Sequence, residues 1–209
     1  MRGTTLAAAT TAVALALALG ACGSGDGDTG DGAAREAVRE SGEGGAAADG
    51  DTAEPFGPGC SDFPSRGAGS LGAMADQTFT TAIADSPVLG RLAEALERAG
   101  LGEDLDTAEG VTVFAPTNEA FDMYPDGEMD DLMRDRDGLA YLLNYHVVAD
   151  RVGGADLGAG VFDSLSGGQV RTSGSTGEYV VDDYAPVVCA DVRTANATVH
   201  VVDMLLIPS

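Results

Sequence analysis

The chain has 209 residues, with 11 Arg and no Lys against 34 Asp plus Glu, a formal net charge of −23. So acidic a chain lacks the basic footprint that nucleic acid requires and is repelled by anionic lipid head groups. Trp is absent and aromatic residues make up 5%, so a core has to be built mainly from Val, Leu and Ala, and 2 His are too few for most imidazole-rich metal sites.

Met1 to Ala21 opens with Arg2, continues through an Ala, Leu and Val run from Leu6 to Leu19, and closes on small residues. That is the order of a secretory leader, and the run is shorter than a spanning helix needs. Leu19-Gly20-Ala21-Cys22 resembles the bacterial lipobox, which implies cleavage ahead of Cys22 and acylation of its thiol. Two or three acyl chains anchor stably where one does not. The expected product is a lipoprotein on the extracytoplasmic face of the cell membrane, touching it through that anchor only. Ordinary leader cleavage, with Cys22 unmodified, is the alternative. Residues 22–59 are dominated by Gly, Ala, Asp and Glu with Phe56 as the only aromatic residue, too little apolar surface to offset the entropy of ordering. They are expected to form a disordered acidic tether, with the folded domain beginning at Cys60.

Ser86 and Pro87 form a cap and first-turn pair for a helix stopped by Gly100, and Val88, Leu89, Leu92 and Leu96 fall at helical spacing between them. In Val111 to Phe121, VTVFAPTNEAF, a buried strand runs directly into a helix. Pro116 breaks the ladder, Thr117 is the N-cap, and Glu119 sits on the favourable side of the helix dipole. The acidic stretch Asp126 to Asp137 fails the EF-hand template, because the sixth position from Asp126 is Asp131 instead of Gly. A solvated helix with Leu132 and Met133 facing inward is expected there.

Leu139 to Asn144 reads as a short buried helix feeding a strand from Tyr145 to Val148. Alternation along that strand places Tyr145 and His146 on opposite faces. Gly-rich punctuation then separates strands near Val161 to Leu165, Gln169 to Thr172, Glu178 to Val181 and Val187 to Cys189. A last strand, Val199 to Ile207, is apolar enough to be central, and Pro208 ends it. Short strands after a helical half indicate an α+β fold. Asn196-Ala197-Thr198 fits a glycosylation sequon but is expected to order the turn before the last strand. There is no HExxH, CxxC, P-loop or GxSxG, so no catalytic, metal or cofactor residues are assigned.

Three of these segments, VTVFAPTNEAF, LLNYHVV (Leu142 to Val148) and TANATVHVVDMLLIP (Thr194 to Pro208), together resemble the ordered motifs of fasciclin-like domains. With GPGC at Gly57 to Cys60 and VVC at Val187 to Cys189, the resemblance is closest to the actinobacterial secreted and lipid-anchored fasciclin antigens, and it covers Cys60 to Ser209. It implies a β-sandwich wedge of about seven strands with helices packed on one side. It also implies a non-catalytic adhesion or recognition module without a cofactor, whose partner is a cell-envelope or host surface protein or polysaccharide. The alternative is a carrier or sensor of a small apolar or carbohydrate ligand, held in a groove between helices and sheet. The family motif makes Tyr145 and His146 candidate interaction residues; the other reading is aromatic packing plus a hydrogen-bonded imidazole. With Cys22 assigned to lipid, Cys60 and Cys189 remain as one pair in an exported chain, where oxidation is expected. The resemblance implies the same disulfide, with free thiols or intermolecular bridging as alternatives.

Overall fold

Every residue of β1, Val111–Pro116, is buried, which a strand with one wet face does not show. The computed structural model, which describes residues 54–208, gives the reason. β1 lies inside a seven-stranded sheet, parallel to β7 (Ala197–Val202) on one side and antiparallel to β2 (Val147–Val148) on the other. β3 (Ala159–Asp163), β4 (Gln169–Ser175), β5 (Glu178–Val181) and β6 (Ala185–Arg193) complete the order β2-β1-β7-β6-β5-β4-β3, each antiparallel to the next in sequence.

The two ends of this sheet meet. Val148 bridges Ser164, and the Leu165 N–H donates to the Val147 carbonyl at 2.8 Å. Curvature enters partly through β6, whose pairing with β7 shifts register between Val187 and Val192, and where Asp191 takes a φ of 56°. The expected wedge is therefore one mixed sheet rolled until it nearly closes, in an α+β fold.

Seven α-helices among the described residues pack alongside: α1 (Leu71–Met74), α2 (Phe79–Asp85), α3 (Gly90–Ala99), α4 (Gly102–Thr107), α5 (Asn118–Asp122), α6 (Asp126–Leu132) and α7 (Arg136–Tyr145). Strand alternation divides the core in two. Val111, Val113, Ala115, Val199 and Val201 pack with the helix side chains Phe79, Ile83, Leu92, Leu96, Leu139 and Leu143. Phe114 and Val202 instead join Val148, Leu157, Val170, Val181 and Leu206 inside the roll. With both faces covered, the strand reads as a continuous apolar run.

The strand-to-helix corner forms as expected: Thr117 caps α5 by accepting the Ala120 N–H at 3.2 Å, and Glu119 lies in its first turn. Gly100 ends α3 at a φ of 72°, a left-handed position open to glycine. Met129 of α6 is buried, with Leu132 and Met133 partly buried beside it.

Several expected boundaries move, among them β3, which runs Ala159–Asp163 instead of Val161–Leu165, and β6, which lengthens to Ala185–Arg193; at four places a tertiary partner takes over a local signal. Helix α3 starts at Gly90 instead of Pro87, since the Asn118 side chain accepts the Arg91 N–H at 2.9 Å and donates to the Pro87 carbonyl at 2.8 Å. Tyr145 ends α7 and His146 caps it, donating its N–H to the Leu143 carbonyl at 3.1 Å, so the strand shrinks to Val147–Val148. The last strand stops at Val202, because the Leu206 and Ile207 N–H groups go to side chains instead of a ladder. Finally, Cys60 is too late a domain start. Phe56 exchanges backbone bonds of 3.1 and 2.8 Å with Ala190, and its ring lies 6.1 Å from that of Tyr179. The leader (1–21), Cys22 and the tether as far as residue 53 lie outside the described residues.

Candidate functional site

Cys60 and Cys189 form a disulfide, with Cα atoms 4.9 Å apart and a sequence separation of 129. It fastens the 3₁₀ turn Pro58–Asp62 to β6 where the backbones are already in contact: a Cβ on Gly57 would lie against the Val188 carbonyl.

Because α7 continues through Tyr145, the two candidate rings do not alternate across a strand. Both turn inward, with Tyr145 2% and His146 1% exposed. Of the two readings of this pair, such burial favours aromatic packing with a hydrogen-bonded imidazole over a contact surface. The Tyr145 hydroxyl lies 2.9 Å from both the Gln169 carbonyl and Asp182 Oδ2, two acceptors for one proton. Burial, reinforced by the Asp182 carboxylate, pushes the phenol well above its ordinary range.

The environment of His146 fixes its tautomer. The Leu206 N–H can only donate, so Nε2, 2.9 Å away, must accept; Nδ1 then carries the proton and donates to the Leu142 carbonyl at 2.9 Å. Burial lowers this imidazole from 6.5 to about 4, against a raising effect of the Leu142 carbonyl. His200 repeats the pattern on β7: Nδ1 accepts the Asp191 N–H at 3.3 Å and Nε2 donates to the Val152 carbonyl at 3.0 Å. Burial lowers its pKa as well. Each imidazole ties together two segments distant in sequence. Neither has a free nitrogen for acid–base chemistry.

Sequence reasoning missed the reach of Asn196. Its Oδ1 accepts the Phe79 N–H at 3.0 Å, and its Nδ2 donates to the Leu105 and Ala108 carbonyls at 2.7 and 2.9 Å. The side chain therefore joins α2, the end of α4 and the entry to β7 from inside the fold, out of reach of a glycosylating enzyme. The expected turn-ordering falls to Thr194, whose Oγ1 accepts the Ala197 N–H at 3.0 Å. The partners of Asn196 lie between 88 and 117 residues away, beyond the range of any local pattern.

The layer between helices and sheet, where a ligand groove was anticipated, is occupied by a continuous apolar cluster. A groove of about 570 Å³ lies instead on the helical side, where Ile83 and Leu96 are accompanied by Asp85, Glu94 and Glu97. A smaller cavity of about 140 Å³ opens between the end of α5 and the segment after β7. Among the described residues no group of three or more His, Cys, Asp or Glu is placed to hold a metal ion, and no helix is long and apolar enough to cross a membrane.

A family model of the fasciclin domain matches residues 87–208. The chain is 36% identical over 164 residues to the cell surface glycolipoprotein MPB83 of Mycobacterium bovis, covering 75% of this chain and 73% of that protein. It is 35% identical over 160 residues to the immunogenic protein MPB70 of the same species, covering 73% and 81%. A Synechocystis protein, sll1483, is 33% identical over 138 residues, covering 65% and 71%. A solved structure of a FAS1 domain pair from the insect cell adhesion molecule Fasciclin I superposes with a TM-score of 0.49 at 17% identity, covering 63% of this chain and 51%, about half, of that one.

Proposed function

The chain belongs to the fasciclin-domain family, and on that premise we propose that it is a non-catalytic adhesion or recognition module, displayed outside the cell membrane by acyl chains on Cys22. The observation that carries this reading is the employment of the reactive side chains. Tyr145, His146 and His200 are buried, and every polar ring atom is bonded to the chain itself. Groups committed in this way hold the fold together, which leaves recognition to the exterior. The likeness to a cell surface glycolipoprotein over 164 residues supports display at the surface. The partner is a protein or polysaccharide of the envelope or of a host surface.

Fractionation tests the anchor. The full chain is expected in the membrane and its Cys22→Ala variant in the medium; a variant that stays membrane-bound removes the lipid assignment. The released chain is then titrated onto envelope fragments, where saturable binding is expected. Prior protease or periodate treatment of the fragments separates a protein partner from a polysaccharide. Binding that does not saturate sinks the recognition module.

A further inference from the structure

Among the described residues, two buried side-chain oxygens have no hydrogen-bond partner, Gln77 Oε1 and Asp203 Oδ1. Such an atom costs stability as long as nothing pairs it, and in a native fold it calls for a reason. Asp203 directly follows β7 and lines a pocket of about 420 Å³. Four other segments meet there: the 3₁₀ turn Pro58–Asp62, Pro87 and Val88 ahead of α3, the start of α5, and Val188 of β6. Their positions are set before anything binds. The Cys60–Cys189 disulfide fixes the turn against β6, and the Thr117 N–H donates to the Val202 carbonyl at 2.9 Å. Asn118 donates its backbone N–H to the Val88 carbonyl at 2.9 Å and its side-chain amide to the Pro87 carbonyl at 2.8 Å. Within this fixed wall the Asp203 carboxyl is the uncompensated group: burial raises its pKa, against a lowering effect of its own backbone N–H.

The lining is aliphatic and acidic at once. Pro58, Pro87, Val88 and Val188 supply the apolar part, Asp62, Glu119 and Asp203 the carboxylates, and no described lining residue is cationic. Asp62 and Glu119 are exposed, Asp203 half-buried. We propose that this pocket receives a lysine side chain of a partner protein, its stem along the two prolines and two valines and its ammonium against the Asp203 carboxylate. Lysine divides in the same way as the lining, into an aliphatic stem and a compact charge. A cation brought to a desolvated carboxylate offsets the hydration that burial removed. Other cations fit less well. Among the described residues no group of three or more His, Cys, Asp or Glu is placed to hold a metal ion, so these three carboxylates do not close on one. A guanidinium stacks on aromatic faces, and no described lining residue is aromatic. A second copy of this chain brings no Lys and a net charge of −23, which sets acid against acid. The exposed Pro58, Asp62, Pro87 and Glu119 leave the opening at the surface, where a side chain enters while its own backbone stays outside.

The proposal rests on the recognition reading and gives it a surface and a chemistry. The test is an NMR titration of the isotopically labelled full chain with a Gly and Ser heptapeptide carrying one central Lys, read at the amides of Gly59, Asn118 and Val188. Saturable shifts are expected. The same peptide with norleucine, which keeps the stem and loses the charge, is expected to bind about tenfold more weakly or worse. Asp203→Asn in the protein should weaken the lysine peptide to the same extent. The paired exposed changes Asp62→Asn and Glu119→Gln, which leave the core untouched, should weaken it about twofold, and Asp122→Asn, outside this lining, should leave it unchanged. Equal shifts with the norleucine peptide, or indifference to both Asp203→Asn and the rim pair, overturns the proposal. Free cadaverine binding more tightly than the lysine peptide overturns the protein source of the ammonium. Envelope binding that Asp203→Asn and the rim pair both retain removes the pocket and leaves the module standing; no envelope binding by the unaltered chain removes the module itself.

Discussion

On the helix-covered face of the sheet, Val113, Val199 and Val201 meet Phe79, Leu92 and Leu139 in an apolar layer, and the polar joint at its rim is the amide of Asn196. Inside the roll, Phe114, Leu157, Val181 and Leu206 are equally buried, but the polar joints there are a phenol and two imidazoles, Tyr145, His146 and His200. An amide carries no proton that titrates in this range, whereas an imidazole pushed down by burial refuses a proton that the unfolded chain takes up, so it costs stability as the pH falls. The two faces solve the same problem, satisfying buried backbone groups, yet the imidazoles are placed on the inner one.

The largest effect expected is on the staple at the edge of the helix-side core. Reducing Cys60–Cys189 frees a loop of 129 residues and should cost up to about 5 kcal/mol on the chain-entropy estimate. An unchanged urea midpoint in reductant refutes it. Next, Asn196→Ala leaves the Phe79 N–H and the Leu105 and Ala108 carbonyls without their partner and should cost about 4 kcal/mol. That loss should be the same at pH 7 and pH 4.5; a strongly pH-dependent loss breaks the contrast between the faces.

The inner face supplies the third prediction. His146 is held at about 4 in the folded chain against an ordinary 6.5, so between these values the unfolded chain binds a proton that the folded chain refuses. Stability is complete above pH 6.5 and declines as the pH falls towards 4, by about 3 kcal/mol from this one group. Protonated Nε2 also ceases to accept from Leu206. Denaturant midpoints from pH 7.5 to 4 read the slope, and His146→Gln should flatten it; an equal slope in both proteins assigns the effect elsewhere. The smallest change is Tyr145→Phe, which removes the hydroxyl shared by Gln169 and Asp182 and should cost about 1 kcal/mol with no loss of envelope binding. A binding loss in a well-folded variant restores Tyr145 to the interface.

Legibility followed sequence distance. The corner at Val111 to Phe121 was readable because strand, breaker, cap and first turn are contiguous, and Thr117 bonds a residue three positions on. Glu178 to Val181 was bounded correctly by its flanking turns. Tyr145 was misplaced because LLNYHVV carries helical and strand character at once, and the choice fell to the Leu142 and Leu206 groups that hold His146. The cavity of about 140 Å³ left no periodic trace, since Met123, Tyr184 and Ile207, which line it, are far apart along the chain and each alone is an ordinary exposed apolar residue.

By itself, then, the sequence determined the α+β class, the strand-to-helix corner, the centrality of the final strand and the family motifs, all of them patterns of nearest neighbours. Tertiary structure alone decided that the sheet rolls up, that Tyr145 and His146 face inward, that Asn196 works across the fold and that three scattered apolar residues meet. Each of those outcomes depends on which distant backbone group or side chain arrives as a partner, and a residue's own propensity, worth a fraction of a kcal/mol, yields to a buried hydrogen bond that must be made.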